Sequence, residues 1–352
     1  MQDVKIARYA EDELAISELH QLDDALDIVA FLTAEDFVVA QLLRVHGKTQ
    51  AQAKALARRI SSHAKIADMY ARLSLTAPPH ISFLPGYYSI LNLAKIQSLA
   101  GPYSNTFDHH SRWHGATYQT RGRTSRGLFT EEIRIRKGGA LALFYRTLMA
   151  SPINSDRVLK LRDIYPLVPG IGSELSIITG SRSPVVEIGF RAEINAGRIS
   201  AEAIVSTITK DGRRRPYKGT VRQIPCLKGF RKKPGSSNIF SRVQTVTAGA
   251  TIQNALRQIV QTPLIASGPL SHLSKCHRQG SALPFPDEFA TALAFFHLAS
   301  ICRYNPEFLD KLSQSKFWPM LLQLRRHGMY YFLISTWSYL IQKNYDLRSM
   351  PG

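Results

Sequence analysis

The residues best equipped for chemistry are Asp108, His109, His110 and His114, in the run Asp108-His-His-Ser-Arg-Trp-His-Gly115. An imidazole titrates near pH 6.5, so it can take and return a proton around neutrality, as metal-free cleavage of RNA requires. His110 and His114 are four apart, which on a helix puts both rings on one face, an arrangement that also suits a metal ion. Against a metal, the run has no HExxH pattern and no third ligand of obvious spacing, and Gly115 marks a loop or a helix end. Metal ligation, a phosphate contact and a structural role therefore all remain open for this cluster. His272, Cys276 and His277 offer metal-type donors without a fourth nearby, and a solvated loop is the expectation there.

A second group of residues could bind rather than react. Arg213, Arg214, Arg215, Lys218, Arg222, Lys228, Arg231, Lys232 and Lys233 crowd one region, with Tyr217 and Phe230 between them. Guanidinium and ammonium groups contact phosphates, and aromatic rings stack on unpaired bases, so this set reads as a nucleic-acid surface, RNA ahead of DNA. Plain solvated hairpin turns have the same composition. The whole chain of 352 residues carries a formal net charge of +19, unevenly placed. Residues 1–36 hold ten acidic side chains against Lys5 and Arg8, a net of −8, which leaves +27 on the rest. Such a field attracts polyanions.

Other classes are disfavoured. There is no Walker A loop, GxGxxG fingerprint, GxSxG elbow or kinase signature, so ATPase, Rossmann dehydrogenase and α/β-hydrolase chemistry are not expected. Cys226, Cys276 and Cys302 are odd in number and far apart, which fits a reducing compartment and neither a disulfide framework nor a cysteine zinc site. No cofactor and no metal are expected. The first residues lack an apolar run, so no secretory leader is expected; no run is long enough to span a membrane, and the reading is cytoplasmic. The most apolar run, Met329–Ile341, is expected to be a buried helix or a contact with another subunit or partner.

These residues must be positioned by something, and the stretch from Leu84 to Gly101 is the natural organiser. Pro85-Gly86 opens it, Gly101-Pro102 closes it, and Tyr87, Ile90, Leu91, Ala94 and Leu99 keep helical spacing, with Asn92 and Lys95 as polar exceptions. A helix apolar over most of its circumference belongs inside a bundle. Around it, residues 12–45 read as helices, with a capping box at Thr33-Ala-Glu-Asp36. Thr49 caps a second helix over Gln50–Leu73. Asp287 is the N-cap candidate for a helix through Arg303, and Asn305-Pro306 starts another. Between them, Leu175–Thr179, Val185–Phe190, Ile199–Ile208, Tyr217–Ile224 and Val243–Val246 are short and β-branched, with hairpin turns at Asn195-Ala-Gly197 and Asp211-Gly212. The fold class is therefore α+β, a mainly α-helical bundle with an inserted antiparallel β module. Its parts are an acidic N-terminal helical segment (1–48), a first bundle part (49–171), a basic β-rich module (172–250) and C-terminal helices that rejoin the bundle (251–352).

Three stretches together resemble the YaaC-like family of bacterial proteins. They are Gly86-Tyr-Tyr-Ser-Ile-Leu-Asn-Leu-Ala-Lys95 with His114-Gly115, then Tyr165-Pro-Leu-Val-Pro-Gly170, then Leu293-Ala-Phe-Phe-His-Leu-Ala-Ser-Ile-Cys-Arg-Tyr-Asn-Pro306. The resemblance runs with gaps from about residue 50 to 345 and leaves out the acidic head and the basic sheet region. It implies a fold without implying a settled activity. More loosely, the Tyr-Tyr helix followed by His-Gly is similar to the HEPN superfamily, which holds many RNases and many non-enzymatic relatives. Its catalytic pattern of Arg, a polar residue, a spacer and His is met nearest by Arg58-Arg-Ile-Ser-Ser-His63, with an Arg where a smaller polar residue is usual.

If the family-like stretches converge, Tyr88, Asn92, Lys95, His114 and Arg303 line one cleft, the preferred catalytic or binding site. The resulting expectation is an RNA-binding protein that, if it is an enzyme, is a metal-independent endoribonuclease of toxin or defence type. The alternative is a non-catalytic assembly or regulatory protein whose cleft binds a nucleotide or a partner chain.

Overall fold

The computed structural model describes residues 2–4, 13–15, 22–119, 127–169, 171–181, 185–211, 213–220, 224, 227, 229–245, 274–277, 286–341 and 344–346. Strands β1 (Gln2–Val4) and β2 (Glu13–Ala15) precede helices α1 (Leu22–Ala30), α2 (Glu35–Arg44), α3 (Gln50–Thr76) and α4 (Pro79–Ala100). Leu14 thus lies in a strand and not on a helical face, because β2 pairs in parallel with a segment from the far end of the chain, Asn344–Asp346. Thr33 does not cap α2. Its hydroxyl donates back to the Ala30 carbonyl at 2.6 Å, closing the turn Phe31–Thr33, and Ala34 takes the N-cap position.

Thr49 does cap α3. Its hydroxyl accepts from the Gln52 N–H at 3.3 Å, and the Gln52 carbonyl oxygen accepts from the Thr49 N–H at 3.1 Å, the reciprocal pair of a capping box. The inner face of α3 is built of small residues at alternating spacings of four and three: Ala53, Ala57, Ile60, Ala64, Ala67 and Ala71, all fully buried. Small side chains let α4 approach closely along the length of the pair. The organising helix starts earlier than its Pro-Gly pair suggests. Pro78 is the N-cap, Pro79 occupies the first turn, and Pro85-Gly86 sits inside the helix. The hydrogen bond lost at Pro85 falls in the second turn, near the exposed Ile81, while everything beyond is held by packing on all sides. Gly86 is required for space. A Cβ there would lie 2.8 Å from the Phe295 ring and 2.8 Å from the Ser74 hydroxyl.

After α4 come the short helix α5 (Phe107–His110), strand β3 (Ala116–Gln119), β4 (Glu132–Ile135), α6 (Ala140–Met149), β5 (Arg157–Lys160), α7 (Leu161–Ile164) and α8 (Gly172–Thr179). Strands β3, β4 and β5 form a small antiparallel sheet in that order. Residues 175–179, expected as a strand, are the second half of α8, which ends at Gly180 in the left-handed conformation. Their β-branched composition is overridden by the packing of Leu175 into the helical core.

The β module is antiparallel. Strands β6 (Val185–Asn195), β7 (Arg198–Ile208), β8 (Arg214–Pro216), β9 (Arg231–Lys232), β10 (Ile239–Thr245) and β11 (Ser274–His277) assemble with β1 in the order β1-β6-β7-β10-β9, with β11 also on β6 and β8 also on β7. Asn195 pairs with Arg198 across the hairpin, and Ala196 and Gly197 both have positive φ (47° and 72°), the conformation of a tight two-residue turn. The segment expected as strand Tyr217–Ile224 is not one among its described residues. Pro216 ends β8, and Tyr217, Ile224, Leu227 and Phe230 instead fold under the sheet as its core.

The chain returns to helix in α9 (Asp287–Tyr304), α10 (Pro306–Ser313) and α11 (Trp318–Ile341), followed by β12 (Asn344–Asp346). Pro286, not Asp287, is the N-cap of α9, and Asn305 caps α10 by accepting the Phe308 N–H at 3.3 Å. Buried apolar residues fall into two clusters. One spans residues 25–175 and 289–341, and the other lies within the sheet, 186–240. The helices before and after the β module therefore share one core, with α4 against α3, α6, α9 and α11. The Phe289 ring meets Tyr145 at 5.0 Å, and the Gln97 amide donates to the Thr336 hydroxyl at 3.0 Å. Met329–Ile334 and Ser335 are fully or nearly fully buried in this core, so that face of α11 is used within the chain. Among the described residues, no helix is long and apolar enough to cross a membrane.

Candidate anion-binding cleft

Tyr88, Asn92 and Lys95 are spaced by four and three on α4, so they share one face, with Tyr87 beside them. His114 reaches that face from the loop after α5. The loop is fixed to the start of α6 by backbone bonds, with Ala140 N–H donating to Trp113 O at 2.9 Å and Leu141 N–H to His114 O at 3.0 Å. Two glycines make the approach possible. Gly115 (φ +82°) and Gly139 (φ +102°) face each other so closely that a Cβ on Gly139 would lie 2.4 Å from the Gly115 Cα. No other residue fits at either position.

The Tyr87 hydroxyl and His114 Nδ1 are 2.8 Å apart. Tyr87 is 2% exposed, and burial pushes its phenol pKa far up, so it keeps its proton. Nδ1 is that hydroxyl's one hydrogen-bond partner among the described residues; accepting there would leave the buried phenol proton unpaired, so donation from the phenol to Nδ1 is favoured. The remaining ring proton of neutral His114 must then sit on Nε2. Burial, with the Lys95 and Arg303 charges, holds the His114 pKa below its usual value and keeps the ring neutral. His114 is therefore a hydrogen-bond donor at neutral pH, and its basic nitrogen is already occupied.

Arg303, exposed at the end of α9, closes the other side. Its guanidinium lies 3.5 Å from the Tyr88 hydroxyl and 5.0 Å from the centre of the Tyr304 ring. Lys95 is half-buried, and burial pulls its pKa down. Neither Lys95 nor Arg303 has a carboxylate partner among the described residues. Between these elements lies a cleft of about 580 Å³, lined by Tyr87, His114, Tyr118, Phe296, Arg303 and Tyr304 among others. The five residues expected at one site are thus only partly united. His114 and Arg303 line the cleft, Tyr88 touches Arg303, and Lys95 acts through its charge. Asn92 turns away. Its amide donates to Tyr88 O at 2.7 Å, and its carbonyl oxygen accepts from His63 Nδ1 at 2.8 Å.

Beneath the cleft lies a network that reading the sequence missed. The Tyr118 hydroxyl donates to Glu131 Oε2 at 2.7 Å, the same oxygen accepts from His297 Nε2 at 2.6 Å, and Tyr165 meets His297 Nδ1 at 3.1 Å. Asn305 and Tyr118 both line the cleft above this network. His297 is fully buried; burial holds its pKa below the usual value, with the Glu131 bond pulling the other way. A histidine in the middle of the apolar helix Leu293–Ile301 was the one signal in the sequence. Glu131 and Tyr118 gave none.

The other candidates separate. Asp108 is paired with Arg59, and His110 Nδ1 accepts the Gly139 N–H at 3.3 Å; α5 ends at His110, so His110 and His114 do not share a helical face. Among the described residues, no group of three or more His, Cys, Asp or Glu is placed to hold a metal ion. Arg58 pairs with Glu35 at 3.7 Å whereas His63 turns inward, so the two ends of that pattern have separate partners. On the β module, Arg213 pairs with Asp211 at 3.7 Å, Lys233 pairs with Glu202, and Arg214 pairs through its backbone with Ile208. Arg215 and Lys218, with Lys210, line an open hollow of about 850 Å³, and Arg231 and Lys232 are exposed on strand β9. Tyr217 (2% exposed) and Phe230 (3%) are core residues and cannot stack on bases. Arg222, Lys228 and His272 lie outside the described residues, as does Gly212.

The family model of YaaC-like proteins matches residues 32–324. The chain belongs to the YaaC-like family. The matched region takes in the sheet core, most of the helical core and the β module, which the resemblance of the three short stretches had left out, and it holds every residue of the cleft. Comparison with curated proteins found no match, and comparison with solved structures found none. The looser likeness to HEPN proteins accordingly has no structural relative behind it.

Proposed function

We propose that this YaaC-like chain binds RNA, with a phosphate held in the cleft between α4 and α9. The observation that carries the reading is that the Arg303 guanidinium lines the cleft with a neutral imidazole, His114, on which the Lys95 charge also bears, while no carboxylate among the described residues neutralises either cation. A partly desolvated ammonium is unfavourable without a counter-charge, and a phosphate oxygen supplies one. The net charge of +19 adds long-range attraction for a polyanion. Exposed Arg231 and Lys232, with Lys210, Arg215 and Lys218, offer further phosphate contacts on the β module.

Binding ranks ahead of cleavage for a specific reason. A general base needs a free lone pair, and the His114 lone pair is taken by Tyr87. The test is labelled single-stranded RNA incubated with the protein, read for both shift and cleavage at several salt concentrations. With about three phosphates engaged, affinity falls roughly tenfold to twentyfold between 50 and 200 mM salt. Arg303→Gln and Lys95→Met each weaken binding and flatten that slope. A salt-independent shift, or no shift, refutes the reading. Cleavage that disappears in His114→Ala replaces it with a nuclease.

A further inference from the structure

We infer that the corner Arg303-Tyr304-Asn305 is a preorganised clamp for one nucleotide unit, in which the guanidinium takes the phosphate and the Tyr304 ring takes the base. The inference rests on the anion-binding reading of the cleft and gives it a ligand class.

Tyr304 is 66% exposed, the most exposed aromatic ring among the described residues, and it lines the cleft. An aromatic ring left in water at the rim of a concave site forgoes a large burial gain, unless another flat ring covers it. One face of the ring is already occupied by its own Arg303, at 5.0 Å, so one face remains for a base. The guanidinium is thereby placed beside the stacking surface. The volume, about 580 Å³, is that of a small-ligand site, large enough for one nucleotide.

The support below the corner points the same way. Among the described residues the two exposed side chains meet each other and, from Arg303, the Tyr88 hydroxyl at 3.5 Å, while the backbone carrying them is tied down elaborately. Asn305 caps α10 and lines the cleft together with Tyr118. Tyr118 donates to buried Glu131, and Glu131 is held by fully buried His297. Burying a carboxylate and an imidazole is costly and is repaid here by complete hydrogen bonding. What that network holds rigid is a helix corner whose next side chains point at an open cleft. Tyr118, engaged by Glu131, and Asn305, engaged as the cap of α10, are positioning residues and leave ligand contact to Arg303, Tyr304 and His114.

The experiment titrates the full chain with inorganic phosphate, ribose 5-phosphate and adenosine 5′-monophosphate by calorimetry, in wild type, Tyr304→Ala and Arg303→Gln. Both substitutions are on exposed side chains, and unchanged melting temperatures confirm the fold. Adenosine monophosphate is expected to bind about fivefold to a hundredfold tighter than ribose 5-phosphate, the gain from one stacked base. Tyr304→Ala removes that advantage and leaves ribose 5-phosphate binding intact, and Arg303→Gln weakens all three probes. Equal affinity for the two sugar phosphates in wild type, or an advantage that survives in Tyr304→Ala, overturns the clamp and leaves the anion site standing. If none of the three probes binds, the anion reading of the cleft fails, and the clamp with it.

Discussion

Phe295 lies between two glycines on different helices, and this sandwich yields a sharp stability prediction. The ring is fully buried. A Cβ added at Gly86 of α4 would lie 2.8 Å from Cε1 and 3.1 Å from Cδ1, while one added at Gly328 of α11 would lie 2.9 Å from Cε2. Opposite edges of the ring are therefore in contact, and it cannot retreat from one helix without striking the other. On the far side of Gly86, the Ser74 hydroxyl, at 2.8 Å from the new carbon, is held by its bond to Ser82 O at 2.7 Å and is equally unable to yield. Overpacking of a core costs about 1–3 kcal/mol, and the upper half of that range applies where no neighbour can move. Ala is about 1 kcal/mol better than Gly inside a helix, which offsets part of the cost. Gly86→Ala should thus destabilise by roughly 1–2 kcal/mol net. In a Phe295→Leu background the ring half of the clash is relieved while the Ser74 contact remains, so the same substitution should cost less, with a coupling of at least about 1 kcal/mol. Urea unfolding of the four proteins gives the cycle. A stabilised Gly86→Ala single variant, or additivity within about 0.5 kcal/mol, refutes the sandwich.

Two further expectations concern the site. Tyr87→Phe removes the donor to His114 Nδ1, so ¹⁵N spectra should show His114 leaving the Nε2–H tautomer for a mixture, with a loss of roughly 0.5–1.5 kcal/mol in stability; unchanged His114 shifts would refute the assignment. His297 is held neutral in the folded chain, whereas an unfolded histidine takes up a proton below about pH 6.5, so folding stability should fall as pH drops through that value. The loss is at most about 1.4 kcal/mol per pH unit, and urea midpoints at pH 7.5, 6.5 and 5.5 should show it reduced in His297→Gln; an identical pH slope in both proteins refutes it.

What could be read from the sequence was whatever depends on neighbours along the chain. The uniform apolarity of Leu84–Gly101 marked a buried helix, Thr49 marked a cap, and Asn195-Ala-Gly197 marked a hairpin. Errors came where distant contacts outweigh local preference. Pro85-Gly86 reads as a helix start, but α3, α9 and α11 carry the helix through it. Ile177-Ile178-Thr179 reads as strand, but docking onto the helical core makes it helix. Tyr217 and Phe230 read as exposed stacking rings because Arg and Lys surround them, yet each turns beneath the sheet. The cleft was half legible, since Tyr88, His114 and Arg303 stood in recognisable stretches. Its supporting network was not, because Tyr118, Glu131, Tyr165 and His297 are scattered over the chain and are brought together by the fold alone.

The placement of α9 and α11 on the far side of the β module has a consequence for synthesis. The apolar sides of α4 are covered by helices that follow it in sequence only after about 190 residues. At roughly 5–20 residues per second, α4 leaves the ribosome some ten to forty seconds before α9 exists to cover it. During that interval a helix with almost no polar side must be shielded by α3, α6 or a chaperone. The first half of the bundle is thus a long-lived nascent species, and the speed with which the β module is translated sets how long it stays open.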